Sequence, residues 1–136
     1  MKKIIVSGLV AGIASGVLLF LVCAYVEYSA EIELMTLLLN IDFVYDGELH
    51  LLVETAIHLV VSIVLATVLK GFHIYRPSLY MPAMVTAWAS TVVLYFILPQ
   101  AAVQSINLEG HIGFLLWVIF HIGFFELLHL FFKRGI

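Results

Sequence analysis

Four apolar stretches divide the chain, and each is long enough to cross a membrane. About 20 apolar residues, at ~1.5 Å rise per residue, span a hydrocarbon core of roughly 30 Å. The stretches predict helices at about residues 4–26, 50–70, 79–98 and 111–132. The pattern therefore predicts an all-α membrane protein, with four transmembrane helices forming a single domain over residues 1–136.

The first predicted helix carries small residues at regular spacing. Gly8, Gly12 and Gly16 recur every four residues, and each follows another small residue. Such a stripe lets a second helix approach closely, so that van der Waals packing holds the pair together. The partner could be a helix of the same chain or a second copy, and the stripe is a candidate seam for a homo-oligomer.

The same N-terminal region has some features of a signal peptide. A basic start and an apolar core precede the small residues Ser29 and Ala30. The apolar run from Ile4 to Val26, however, exceeds the roughly 7–15 residues of a normal signal-peptide core. This length favours a retained helix over cleavage.

Polar segments and prolines mark the predicted boundaries between the spans. Residues 27–49 alternate acids with apolar islands, which indicates a short amphipathic helix at the membrane interface and a turn at Asp46-Gly47. Residues 70–76 are predicted to form a short basic turn closed by Pro77.

Two further prolines bear on the third span. Pro82 falls in its predicted first turn, where a missing N–H is tolerated, and Pro99 is predicted to end the helix.

Charge placement predicts the orientation of the helices. The basic residues all fall at the N-terminus, in the second connection or at the C-terminus: Lys2, Lys3, Lys70, Arg76, Lys133 and Arg134. Seven of the nine acids fall in the other two connections. Because basic residues stay on the cytoplasmic side, we expect both termini inside, in an up-and-down four-helix bundle.

Composition narrows the function classes. With 64% hydrophobic and 11% charged residues, the chain departs from soluble domains, which carry about 25% charged residues. A net charge of -3 without a basic cluster excludes nucleic acid as a partner, and the expected partner is the lipid bilayer. The single cysteine excludes an intramolecular disulfide. No hydrolase triad pattern is present, so we expect no enzymatic activity.

Ionisable residues inside the second and fourth spans are the candidate functional groups. Such residues are costly in a membrane and usually face protein or a water-filled cavity. The second span holds Glu54, His58 and Ser62 at four-residue spacing, so they share one face. The fourth span holds His121, Glu126 and His129.

The depths of these residues are similar in the two spans. His58 lies eight residues beyond His50, or ~12 Å, and His121 lies ten residues beyond His111, or ~15 Å. The six residues could therefore form one polar string that crosses much of the membrane.

Three interpretations of this string stay open. The groups could satisfy one another and specify helix register, or they could relay or sense protons, since histidine titrates near pH 6.5. Alternatively, they could hold a ligand: haem or a metal ion could use residues among His58, His121, Glu126 and His129. We predict no cofactor, and haem or a metal ion is kept as the alternative. A small transporter, or an accessory subunit of one, is a further alternative.

The chain also resembles the YagU family of small bacterial inner-membrane proteins. Three features carry the resemblance: GLVAG from Gly8 to Gly12 with acids closing the first helix, HLVVSIVLA from His58 to Ala66, and a last helix with Glu109, His111, Trp117, His121 and a basic end. Either His111 or His121 could correspond to the family's last-helix histidine.

The resemblance covers most of the chain outside about residues 32–50. It implies a multi-pass protein of the bacterial inner membrane that contributes to acid resistance, with no established activity or catalytic residues. We therefore expect a non-enzymatic membrane protein linked to acid tolerance.

Overall fold

The computed structural model describes residues 1–45 and 47–136, and all regular structure in these ranges is helical. In chain order the helices are α1 (Lys2–Ala30), α2 (Leu34–Leu39), α3 (Leu51–Tyr75), α4 (Pro77–Ala101) and α5 (His111–Lys133). The helices α1, α3, α4 and α5 are long and apolar enough to cross a membrane. This confirms the predicted all-α class and the four helices of spanning length.

The surfaces of the long helices are apolar where they face away from the protein. On α3, Val60, Val64 and Val68 are each more than half exposed and follow one another at four-residue spacing. Exposed apolar stripes of this size are not tolerated in a soluble monomer. They are what a helix presents to lipid, so the chain is a multi-pass membrane protein.

The junction between α3 and α4 is shorter than predicted. Helix α3 continues through Tyr75, so the predicted basic turn over residues 70–76 is wrong, and only Arg76 separates the two helices. Proline disfavours helical backbone in the residue before it. Arg76 accordingly has φ -141° and ψ 64°, and Pro77 begins the next helix.

Two other prolines lie inside α4. Because α4 begins at Pro77, Pro82 falls beyond the first turn, and the helix passes Pro99 to end at Ala101. The prediction that Pro99 ends the helix is therefore wrong. Proline removes one backbone donor, and the buried side chains of Tyr95 and Leu98 hold this last part of α4 in place.

The short helix predicted within residues 27–49 is present as α2. Leu34 and Leu37 are fully buried, so its apolar side packs against the protein. The carboxylate of Glu27 accepts hydrogen bonds from the backbone N–H and the hydroxyl of Thr36, both at 2.8 Å. The predicted turn at Asp46-Gly47 involves Asp46, which lies outside the described residues.

The glycine stripe of α1 packs against α3 of the same chain. A Cβ added at Gly12 would lie 2.6 Å from the Cα atom of Ile63, and one added at Gly16 would lie 2.8 Å from the Ser62 hydroxyl. Only glycine allows so close an approach. The helix that packs on the glycine stripe, which the sequence left open, is therefore α3 of the same chain. Homo-oligomerisation stays a prediction, and this stripe is not free to mediate it.

The other helix contacts leave one gap. Helix α1 also packs on α5, and α4 packs on both α3 and α5, whereas α3 and α5 meet at few positions. The facing pair α3 and α5 is therefore separated by space, and this space is where the candidate functional groups lie.

The two ends of the molecule differ in charge. At the acidic end, backbone N–H groups of the segment after α4 bond to carboxylates of the segment after α1: Asn107 to Glu33 at 2.5 Å and Val103 to Asp42 at 2.8 Å. At the basic end, the Lys70 ammonium donates to the main-chain oxygen of Ile136 at 2.9 Å. Chain connections and side chains thus close the molecule at both ends.

Candidate functional site

A cavity of about 200 Å³ lies between α3 and α5 and is bordered by α4 and α2. We call it the histidine cavity. Its polar wall consists of Asn40 at the end of α2, Glu54, His58 and Ser62 from α3, Thr91 from α4 and His121 from α5. The structure therefore brings together four of the six site residues that the sequence singled out.

The remaining lining of the histidine cavity is mostly apolar. Leu19, Leu65 and Phe124 line it, together with Trp117. At about 30 Å³ of liquid volume per water molecule, the cavity has room for several waters. Because the rest of the cavity is apolar, a bound molecule can form hydrogen bonds only with these few polar side chains.

His121 is held in one orientation. It is only 4% exposed, and its Nδ1 atom lies 2.8 Å from the carbonyl oxygen of Trp117. A carbonyl oxygen can only accept, so Nδ1 carries the hydrogen and donates it. In the neutral ring Nε2 then has a free lone pair, and no group in residues 1–45 or 47–136 bonds to it. His121 therefore offers a hydrogen-bond acceptor to the cavity.

Trp117 supports this orientation. Its indole N–H donates to the carbonyl oxygen of Thr91 at 2.8 Å, which fixes the ring between α4 and α5. The ring centroids of Trp117 and His121 lie 4.2 Å apart. The indole ring of Trp117 therefore forms part of the cavity wall and packs against the imidazole ring of His121.

His58 faces the same cavity from α3. Its Nε2 atom is buried and has no hydrogen-bond partner among the residues that the structure describes. An unpaired buried polar atom costs about 1–3 kcal/mol, so such an atom usually has a role. One helical turn further along, Ser62 is buried against Gly16 of α1.

A second, larger cavity of about 490 Å³ lies at the acidic end. We call it the acidic cavity, because four carboxylates line it: Glu33, Asp42, Glu48 and Glu54. No lysine or arginine occurs among its described lining residues. Leu39, Asn40 and Glu54 line both cavities, and Glu54 is the ionisable residue among these three.

The structure does not place Glu126 and His129 at the histidine cavity. Glu126 lies on the exposed side of α5, because five residues along a helix turn it ~140° away from His121. His129 lies two turns below His121 and bonds to another helix. The predicted single polar string is therefore wrong for these two residues.

His129 belongs to a separate group that we call the tyrosine–histidine cluster, made of Lys70, His73, Tyr80, His129 and Phe132. The Tyr80 hydroxyl and the His129 Nδ1 atom are 3.0 Å apart. The His73 ring meets the Tyr80 ring edge-on at 5.0 Å, and the Lys70 ammonium lies 5.0 Å from the centre of the Phe132 ring. Aromatic rings and mutual hydrogen bonds hold this cluster at the basic end.

An apolar layer separates the cluster from the histidine cavity. Ala66, Leu69, Phe125 and Leu128 are buried between them on α3 and α5, with exposures of 0%, 2%, 5% and 0%. No polar path through this layer connects the described residues of the two groups.

The sequence did not identify Thr91, Trp117 or Tyr80 as site residues. Tyr80 is 5% exposed and bonds to His129. No spacing rule links residues of α4 to residues of α5. For Trp117 the sequence does contain a signal, since an indole N–H within an apolar span needs a hydrogen-bond partner.

A metal site is not evident in the side-chain arrangement. Within residues 1–45 and 47–136, no group of three or more histidine, cysteine, aspartate or glutamate side chains is placed to hold a metal ion.

No protein family, curated protein or solved structure matches the chain.

Proposed function

We propose that this protein is a non-enzymatic component of the bacterial inner membrane that exchanges protons with the outer side and supports acid tolerance. In this proposal the four long helices form an up-and-down bundle with both termini in the cytoplasm. The acidic end then faces outward. The basic end faces the cytoplasm, as the positive-inside rule requires.

The observation that carries the proposal is the double position of Glu54. Glu54 lines the acidic cavity, which lies at the acidic end, and also lines the histidine cavity between α3 and α5. A proton arriving from outside therefore meets a carboxylate first, and then the imidazoles of His58 and His121. Chains of such groups serve as proton relays in membrane proteins.

His121 is suited to accept that proton. Its Nδ1–H is committed to the Trp117 carbonyl, so the free Nε2 lone pair is the atom that takes up a proton. The titratable groups that line the cavity with it are Glu54 and His58 of α3. The other packed elements contribute uncharged residues to the wall, such as Leu19 of α1, Leu38 of α2 and Thr91 of α4.

The apolar layer below the cavity favours a sensor over a channel. Leu69, Phe125 and Leu128 separate His121 from the tyrosine–histidine cluster. A proton taken up from outside then stays in the outer half of the membrane and changes the charge of the cavity. The resemblance to the YagU family, with its link to acid resistance, supports the same role.

The test uses Trp117 as a reporter in the purified protein, reconstituted into proteoliposomes with its acidic end facing outward. A Trp88→Phe variant leaves Trp117 as the single tryptophan, in contact with His121. Acidification outside the vesicles should change its fluorescence, and acidification inside should not. His121→Gln should abolish the response, while His111→Gln, which alters an exposed histidine at the start of α5, should preserve it.

The cellular counterpart is survival at low pH. Cells with His58→Ala or His121→Ala should survive less well than cells with the wild type at equal membrane levels. Equal survival, or a fluorescence response to internal pH, would contradict the proposal.

A haem- or metal-binding redox protein is the second candidate. The observation in its favour is the His121 Nδ1–H bond to a carbonyl, since metal-binding histidines are commonly oriented in this way. An absorption spectrum and elemental analysis of the purified protein test it. A stoichiometric haem band or metal that disappears in His58→Ala and His121→Ala would establish it.

A further inference from the structure

We infer that the histidine cavity binds a small protonated amine that carries an apolar group, such as an aralkylammonium ion. The inference rests on the proposed function, because it uses the same cavity and the same access from the acidic end. Four properties of the cavity lead to it: its size, its free polar atoms, its walls and its entrance.

The size of the cavity suits a guest of a single small ring. An engineered protein cavity of about 150 Å³ binds benzene. The histidine cavity, at about 200 Å³, therefore has room for one ring with a short substituent. It is smaller than the roughly 300–1,000 Å³ of typical drug or cofactor sites.

The free polar atoms of the cavity select the chemistry of the guest. Two polar side chains in the lining already donate to backbone oxygens: Asn40 to Leu98 at 3.2 Å and Thr91 to Trp88 at 2.7 Å. What remains is the carboxylate of Glu54, the free lone pair on the Nε2 atom of His121, the Ser62 hydroxyl, and the buried Nε2 atom of His58, which has no partner among the described residues. The carboxylate and the His121 lone pair are acceptors, so a guest that supplies hydrogens suits them, and an ammonium group supplies up to three.

The walls favour a cation with an apolar body over a bare metal ion. Trp117 and Phe124 line the cavity, and aromatic faces attract cations within about 6 Å of the ring centre. Leu19 and Leu65 complete the wall and offer no ligand to an inorganic ion. An apolar group on the amine would fill the space beside them.

The entrance that we infer, through the acidic cavity, disfavours anions. The acidic cavity shares Leu39, Asn40 and Glu54 with the histidine cavity, and its other described lining residues include Glu33, Asp42 and Glu48 but no lysine or arginine. A field of one sign raises the local concentration of oppositely charged ligands. Carboxylates and phosphates are repelled, whereas ammonium ions are concentrated before they reach Glu54.

The test measures binding of benzylammonium to the protein in lipid nanodiscs by calorimetry. We expect saturable binding at about one ion per chain, and at least tenfold weaker binding by Glu54→Gln. The matched control is Glu126→Gln, which removes an exposed carboxylate of α5 away from the cavity. This variant should bind benzylammonium as the wild type does.

Two further probes separate charge from partition into lipid. Benzyl alcohol has the same ring without the charge, and benzoate has the opposite charge. Both should bind at least tenfold more weakly than benzylammonium. Fluorescence of Trp117 in the Trp88→Phe background should change on benzylammonium binding, since Trp117 lines the cavity.

The results that would overturn the inference are distinct from those that test the proposed function. Absence of saturable benzylammonium binding, equal binding of benzyl alcohol, or unchanged binding by Glu54→Gln would each overturn it. If the response of Trp117 to external acid persists in that case, the cavity exchanges protons and takes no amine.

Discussion

The histidine cavity and the tyrosine–histidine cluster contain similar residues in opposite situations. In the cavity wall, the buried Nε2 atom of His58 and the Nε2 atom of His121 each lack a hydrogen-bond partner among the described residues. In the cluster, His129 is bonded to Tyr80 and the aromatic rings fill the space around it. The first arrangement leaves histidine nitrogens available to protons or a guest, and the second uses one to join α4 to α5.

The difference arises from the packing of the helices. At the cluster, α4 and α5 are in contact, so a tyrosine on one helix reaches a histidine on the other. At the cavity, the histidines lie on α3 and α5, which face each other without close contact. The Tyr80–His129 bond therefore depends on the contact between α4 and α5, whereas His73 of the same cluster keeps a buried Nδ1 atom without a partner among the described residues.

The largest expected effect comes from closing the contact between α1 and α3. Gly12→Leu would place its Cβ 2.6 Å from the Ile63 Cα atom, so the helices must separate. We expect a loss of about 3 kcal/mol, at the upper end for overpacking, measured by SDS-induced unfolding in mixed micelles. The Trp117 response to acid should disappear with it, since α3 carries Glu54, His58 and Ser62 of the cavity wall.

Gly123 offers the matched control for this substitution. A Cβ at Gly123 meets nothing within 4 Å, because this glycine lies on the exposed side of α5. Gly123→Leu should leave stability unchanged to within about 0.5 kcal/mol. A comparable loss in both variants would show that leucine, and not the helix contact, is the cause.

A smaller effect is expected when the support of His121 is removed. Trp117→Phe deletes the indole N–H and leaves the Thr91 carbonyl without that donor, at a cost of about 1–3 kcal/mol in unfolding free energy. Trp88→Phe is the control, since the Trp88 N–H is buried without a described partner and its loss breaks no bond. Equal destabilisation by the two variants would contradict this role of Trp117.

The smallest effect is expected at the cluster. Tyr80→Phe removes one hydrogen bond to His129 and should cost about 0.5–1.5 kcal/mol in unfolding free energy. Because the apolar layer separates the cluster from the cavity, acid sensing and amine binding should be unaffected. Tyr28→Phe, at an exposed position, should have no effect on either property. Loss of acid sensing in Tyr80→Phe would show that the two regions are coupled.

Helix boundaries were predictable where a single strong signal marks them. Pro77 marks the junction of α3 and α4 in the sequence, and the helix change occurs there. Lys70 and Pro99 were weaker signals, and both lie within helices. Lys70 stays helical because its ammonium group has two partners within the protein. It donates a hydrogen bond to the main-chain oxygen of Ile136 and lies over the ring of Phe132, and both residues are far from Lys70 in the sequence.

The candidate site was predicted fully on α3 and partly on α5. Glu54, His58 and Ser62 share a face because the helical repeat places residues four apart in one line, whatever surrounds them. On α5 the prediction grouped His121 with Glu126 and His129, although of these three only His121 lines the histidine cavity. Spacing alone does not say which side of a helix faces a neighbour.

The sequence by itself determined the membrane class, the four spans and the shared face of α3, because hydrophobic length and helical periodicity are local properties of the chain. Only the tertiary structure decided that Gly12 meets Ile63, that Trp117 orients His121, and that Glu54 borders two cavities. Each of these depends on which helix faces which, and in a chain where nearly every face is apolar, that choice is made by close packing and a few hydrogen bonds between residues far apart in sequence.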